Sequence, residues 1–147
     1  MKNRLIISNR KARFEYQIEE TFVAGMVLTG AEVKSLKKNE ASISEAYCLF
    51  HQKKLIIRGM QINEFRNAGY VNQEPLRDKQ LLLTKKELKK IKSKVEIQGN
   101  TLIPLEIFIS ERNFLKLKIG LGKGKKLHDK RESLKQKDIQ REIDRYL

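Results

Sequence analysis

A period of two constrains this chain's fold more than any other feature. In "FEYQIEE" the apolar Phe14, Tyr16 and Ile18 alternate with Glu15, Gln17 and Glu19, and "TFVAGMVLTG" carries the alternation on through Phe22, Ala24, Met26 and Leu28. Further on, "FLKLKIGL" sets Leu115, Leu117 and Ile119 against Lys116 and Lys118. This is the pattern of strands with one face in the core and the other in water, as antiparallel sheets present them. Gly25 is expected to mark a bulge or bend and Gly30 to end its strand. "SISEAYCLF" and "LIIRGMQI" read as two more strands of a β-meander, joined by "HQKK" without the usual Asn-Gly signal. "TLIPLEIFIS" reads as another, in which Pro104 requires an edge position or a bulge.

Helical spacing enters twice. "AEVKSLKK" places Val33 and Leu36 three apart, a short helix. At "TKKE" the Thr84 hydroxyl and the Glu87 carboxylate form a capping box, and Leu88, Ile91 and Val95 supply an apolar stripe behind it. Residues 64–79, with Gly69 and Pro75 and little periodicity, are expected to be a long loop. The sum is a mainly β domain of about six strands with two or three short helices, a small antiparallel barrel or sandwich. A chain of 147 residues fits one such unit.

The charge points to the partner. Lys and Arg number 32 against 18 Asp and Glu, a formal charge of +14, and from Arg112 onward twelve bases face five acids. A polyanion follows, nucleic acid first and a membrane surface second. No apolar run approaches the about 18 residues of a spanning helix, and "MKNRLIISNRK" is too short in its apolar stretch for a signal peptide, so a cytoplasmic location is expected. The single Cys48 excludes an intramolecular disulfide and reads as a small core residue.

"GLGKGKK" reads as a hinge, and "GKGKKLHDKR" after it as a basic, glycine-rich segment that either solubilises the chain or contacts nucleic acid. Composition favours contact: glycine allows close backbone approach to phosphate, lysine releases counterions and His128 can stack on a base. The end, "DKRESLKQKDIQREIDRYL", has helix-forming composition, with Ile139, Ile143 and Leu147 at steps of four. Those apolar residues are too few to hold a helix alone. The expected division is a barrel over 1–122 and a tail over 123–147 that is disordered when free and helical on an anionic surface.

Catalytic and metal chemistry find little support. His51 and His128 are far apart, Cys48 has no partner at ligand spacing, and "GKGKK" lacks both the spacing and the final Ser or Thr of a phosphate-binding loop. His128 with Asp129 resembles an acid/base pair, but a flexible segment cannot hold a base within about 0.5 Å of productive geometry. No catalytic residue, metal ligand or cofactor is expected. In "NRKARFEY" the aromatics Phe14 and Tyr16 are core or stacking residues, and in "TGAEVKS" Glu32 caps a helix, pairs with Lys34 or accepts from base edges.

Taken together, "NRKARFEY", "TGAEVKSLK" followed by "ASISEAY", and "KIGLGKGKKLHDKRESLK" at this spacing closely resemble the bacterial SsrA-binding protein family, also called small protein B. The resemblance runs from about Asn9 to Lys135. It implies an oligonucleotide-binding-type closed antiparallel β-barrel that partners transfer-messenger RNA in trans-translation, without enzymatic activity. In such proteins the barrel binds the tRNA-like domain, and the tail enters the empty messenger channel of the ribosome and folds near the decoding centre against small-subunit RNA. Carried over, it places Asn9, Arg10, Lys11, Glu32, Lys34 and Leu82 toward transfer-messenger RNA. It places Lys123, Lys125, Lys126, His128, Asp129, Lys130, Arg131 and Lys135 in the ribosome-contacting tail, with His128 stacking. Val23 stands where relatives often carry an acid and Phe14 where they often carry His, and no contact is carried over to either. Neither DNA nor membrane is an implied partner. A ribosomal protein or RNA chaperone of similar build is the rival from another class.

Overall fold

The computed structural model describes residues 3–64 and 74–125. In chain order they form β1 (Arg4–Ser8), α1 (Arg10–Glu15), β2 (Tyr16–Met26), α2 (Gly30–Lys37), β3 (Ala41–Ser42), β4 (Tyr47–His51), β5 (Lys54–Arg58), β6 (Gln61–Ile62), β7 (Lys79–Leu82), α3 (Lys85–Val95), β8 (Asn100–Ile109) and β9 (Leu115–Gly124). Seven strands make one antiparallel sheet in the order β1-β8-β9-β2-β7-β5-β4, and β3 pairs with β6 alone. The mainly β architecture with three short helices is as expected. The strand count rises from about six to nine: the first two runs form the single β2, while β1 carries no period-two signal and β3, β6 and β7 are too short to show one. Among the described residues the sheet's hydrogen bonding ends at β1 and β4, while its curl brings β4 against β8.

Inside that curl lie Ala24, Leu36, Ile43, Ile57, Ile91, Ile107, Leu117 and Ile119, all fully or almost fully buried. Each large side chain contributes about 1.5 to 3 kcal/mol of transfer free energy. Both capping boxes form. Thr29 and Glu32 close the start of α2, and Thr84 and Glu87 that of α3, each hydroxyl accepting from the N3 amide while the carboxylate accepts from the cap amide. The α3 stripe behaves as its spacing requires: Ile91 is buried, and Leu88 and Val95 pack against the same core.

Several local expectations are corrected. Phe14 lies in α1, not in a strand, because Asn9 caps the helix and β2 starts only at Tyr16. The bulge in β2 falls between Ile18 and Glu20, while Gly25 sits in regular pairing; Gly30 opens α2. The hairpin β4–β5 turns on Gln52 and Lys53 at φ +50° and +67°, the primed turn that matches strand twist. It is not followed by a continuous meander, since β5 next pairs with β7. Pro104 stands at a bulge, between Pro104 and Glu106, which is one of its two expected settings, and its strand is paired on both sides. Most of the expected loop over 64–79 lies outside the described residues, and its last residue, Lys79, begins β7.

The hinge reading of "GLGKGKK" is also overturned as far as Gly124, because β9 runs through it and pairs Tyr16 with Gly124 and Gln17 with Lys123. The glycines serve close approach. A methyl group on Gly120 would meet Leu105 Cδ1 at 2.9 Å and Ile18 Cγ2 at 3.0 Å, and one on Gly122 would run into the backbone of Gln17 and Ile18. Strand β2 lies on β9 there more closely than any side chain permits.

Candidate nucleic-acid interface

Register across five strands builds an outward-facing row. Leu5 of β1 stands opposite Phe108 of β8, Phe108 opposite Lys116 of β9, Lys116 opposite Gly25 of β2, and Gly25 opposite Leu82 of β7. A second row places Glu106 beside Lys118 and Lys118 beside Val23. Their neighbours in sequence, Ile107, Leu117, Ala24 and Leu81, are buried, so the rows belong to the outer face. Leu82 is 50% exposed and Val23 49%, and Gly25 leaves no side chain between Leu82 and the Lys116 ammonium. In the middle of the row Lys116 Nζ also lies 6.0 Å from the centre of the exposed Phe114 ring. Apolar surface with lysines between it suits unstacked bases and phosphates.

Beyond Gly25 the row meets an ionic cluster. Arg77 donates through Nη2 to Glu32 Oε1 and, at 3.1 Å, to the Val27 carbonyl. Lys79 is buried, donates to the Met60 carbonyl at 3.0 Å, and lies 3.8 Å from Glu32 Oε2. Burial pushes the Glu32 carboxyl upward, but Arg77, the Thr29 amide and Lys79 outweigh it and hold it below its ordinary value. Burial lowers the Lys79 ammonium despite Glu32. Glu32 thus caps α2 and neutralises the cluster with a side chain only 11% exposed. Lys34, two residues on, is exposed.

Asn9 is 4% exposed, not a surface residue. Its Nδ2 donates to the Pro104 carbonyl at 2.9 Å and to that of Ile43 at 3.3 Å, its Oδ1 accepts from Ala12, and its own amide donates to Leu105. Asn9 therefore fixes α1 on β8, with Ala12 packed on Ile103 and Leu105, and presents Arg10 and Lys11 outward. Lys11 pairs with Glu45 at 3.3 Å.

The residues thus fall into two groups. Leu82, Glu32 and Lys34 share one end with Lys116 and Arg77, while Arg10 and Lys11 stand on α1, which leads into the other end of β2 at Tyr16. Lys123 and Lys125 join the second group, since Lys125 N donates to the Glu15 carbonyl that ends α1. Lys126, His128, Asp129, Lys130, Arg131 and Lys135 lie outside the described residues. Sequence reasoning missed Lys116, Lys118 and Arg77. The outward positions of "FLKLKIGL" already marked the first two, whereas Arg77 carried no signal.

Cys48 is buried, its thiol pushed up to about 12 by desolvation, so it is no nucleophile at neutral pH. Among the described residues no group of three His, Cys, Asp or Glu could hold a metal, and no helix is long and apolar enough to cross a membrane.

Comparison with known proteins assigns the family. The family model described as SmpB protein matches residues 6–147. The SsrA-binding protein of Cytophaga hutchinsonii is 48% identical over 139 residues, covering 95% of this chain and 91% of that protein. That of Christiangramia forsetii is 41% identical, covering 99% and 92%. A solved structure described as "tmRNA-SmpB: a journey to the center of the bacterial ribosome" superposes with a TM-score of 0.69 at 38% identity, over 87% of this chain and 93% of its own. With a matching family model and relatives of this identity along nearly its whole length, the chain belongs to the SmpB family of SsrA-binding proteins.

Proposed function

We propose that the chain binds transfer-messenger RNA in the cytoplasm and delivers it to stalled ribosomes in trans-translation, as a binding protein with no chemical step of its own. The observation that supports this most is the outer-face row Leu5, Phe108, Lys116, Gly25 and Leu82, in which exposed Leu5 and Leu82 and half-buried Phe108 flank a lysine, in a member of the SmpB family. Leu82, Lys116 and Lys34 face the tRNA-like domain at one end of the barrel, and Arg10 and Lys11 extend that contact at the other. Asn9 acts by anchoring α1, which carries Arg10 and Lys11, and Glu32 by capping α2, which carries Lys34, and by pairing with Arg77 and Lys79. Residues after Lys125, including Lys126, His128, Asp129, Lys130, Arg131 and Lys135, enter the empty messenger channel and fold near the decoding centre. A channel filled by message leaves them no site, which makes the tail a sensor of occupancy.

Affinity arises from phosphate neutralisation and selectivity from the shape of a folded RNA. The test is competition: labelled transfer-messenger RNA against excess total tRNA and ribosomal RNA at about 0.15 M salt, where non-specific phosphate binding is already weakened. The label should stay bound. Displacement in proportion to competing phosphate would leave only a basic barrel, as a general RNA chaperone has. A chain ending at Lys125, which keeps the whole of β9, should hold the labelled RNA as well as the full chain does.

A further inference from the structure

Helix α3 carries six lysines in eleven residues, and its two flanks differ. On one flank Lys90 and Lys94 both pair with Glu20 of β2, and these two ammonium groups hold the Glu20 carboxyl below its ordinary value. On the other flank Lys85, Lys89 and Lys92 follow at steps of four and three, a single row about 10 Å long at helical rise. All three are exposed, and none makes an ion pair among the described residues. Glu87, the one carboxylate within α3, is engaged with Thr84 in the capping box.

This row works against its own helix. Lys85 stands in the first turn, where the helix dipole disfavours a cation, and it repels Lys89 four residues on. A local rule broken without an intramolecular gain points to a ligand. Position narrows the choice. Lys92 lines a cleft with Phe50, Val95, Asn100 and one carboxylate, that of Glu96, and Asn100 stands opposite Lys123 in the β8–β9 ladder. Asn100 Nδ2 also donates to the Lys94 carbonyl at 2.9 Å, fastening the end of α3 to that ladder. The row therefore starts three residues beyond Leu82 and runs toward the end of the barrel where β9 leaves for the basic tail, with Lys92 at that end.

We propose that Lys85, Lys89 and Lys92 form a second phosphate-binding row, which follows the backbone of ribosomal RNA beside the β9 exit. This rests on the RNA-binding reading above and adds a surface to it. The test compares the full chain with its K85Q/K89Q/K92Q variant on two probes, ribosomes with an empty messenger channel and isolated transfer-messenger RNA, across a salt series. On ribosomes the slope of log affinity against log salt should become shallower by about 2 to 2.7, three phosphate contacts at about 0.7 to 0.9 each. On isolated transfer-messenger RNA it should not change, and the thermal midpoint should hold or rise because repulsion within α3 is relieved. An unchanged slope on ribosomes overturns the proposal, as does a shift confined to transfer-messenger RNA or a loss that tracks a lowered midpoint. Failure of the unaltered chain to bind either RNA would overturn the functional reading as well, so the two failures are distinguishable.

Discussion

Replacing Glu32 by alanine should cost the fold about 3 kcal/mol, because the change leaves the Lys79 ammonium buried without its counter-charge and removes half of a capping box. Lys79 is fully buried, and Glu32 is its nearest carboxylate, at 3.8 Å. Glu32→Gln keeps an acceptor for the Thr29 amide but not the charge, and should lose most of the same stability. The pH dependence follows from the two shifts. Glu32 is held below 4.5, so its contribution is full above that pH and is lost as pH falls through its folded value. Lys79 is held below 10.5, so its protonated form disfavours the fold at neutral pH, and that cost lifts as pH rises through its folded value. The gap between the native chain and Glu32→Gln should therefore be widest near neutrality and narrow toward both extremes, as urea titrations across pH can measure.

The double variant E32Q/K79M should recover most of the loss, since a buried ion pair replaced by an apolar side chain is often neutral in stability. It also separates two roles for Glu32. If E32Q/K79M regains both its stability and its transfer-messenger RNA affinity, Glu32 acts on RNA only through the fold. Stability regained without affinity would instead make Glu32 an RNA contact. A Glu32→Ala chain melting at the native temperature would dispose of the structural account.

Local groups were legible in the sequence and distant ones were not. Thr84 and Glu87 announce their capping box because both partners lie within four residues. The alternation in "FLKLKIGL" announces a strand and its wet face for the same reason. Asn9 reads as surface until the carbonyls of Ile43 and Pro104, 34 and 95 residues on, are brought to its amide. Lys79 reads as the last residue of a loop until the Met60 carbonyl and Glu32 close over it. The outer row was hidden for a related reason: Leu82 and Lys116 are each visible, but their adjacency through Gly25 depends on the registers of β7, β2 and β9.

The glycine run is the sharpest case, since hinges and close-packed strands share its composition and differ only in what lies opposite. Gly122→Ala should lower stability by about 3 kcal/mol, at the upper end of ordinary overpacking, because the added methyl meets backbone that cannot turn aside: the Gln17 carbonyl group and Ile18 Cα at 3.1 Å. For a domain of this size that is a fall of about 10 °C in thermal midpoint. Gly120→Ala should cost less, since the atoms in its way are methyl groups of Leu105 and Ile18 that can shift. Gly124→Ala has nothing within 4 Å and should stay within about 0.5 kcal/mol of the native chain. A hinge would give three small and similar effects; close approach gives this steep ranking. The ranking matters for RNA because the β2–β9 ladder fixes where Lys123 and Lys125 stand beside α1. Gly122→Ala should accordingly expose the amides of Gln17, Ile18 and Lys123 to hydrogen exchange in the native state, and Gly124→Ala should not. Equal exchange in the two variants would mean that the close approach at Gly122 does not hold the strand exit in place.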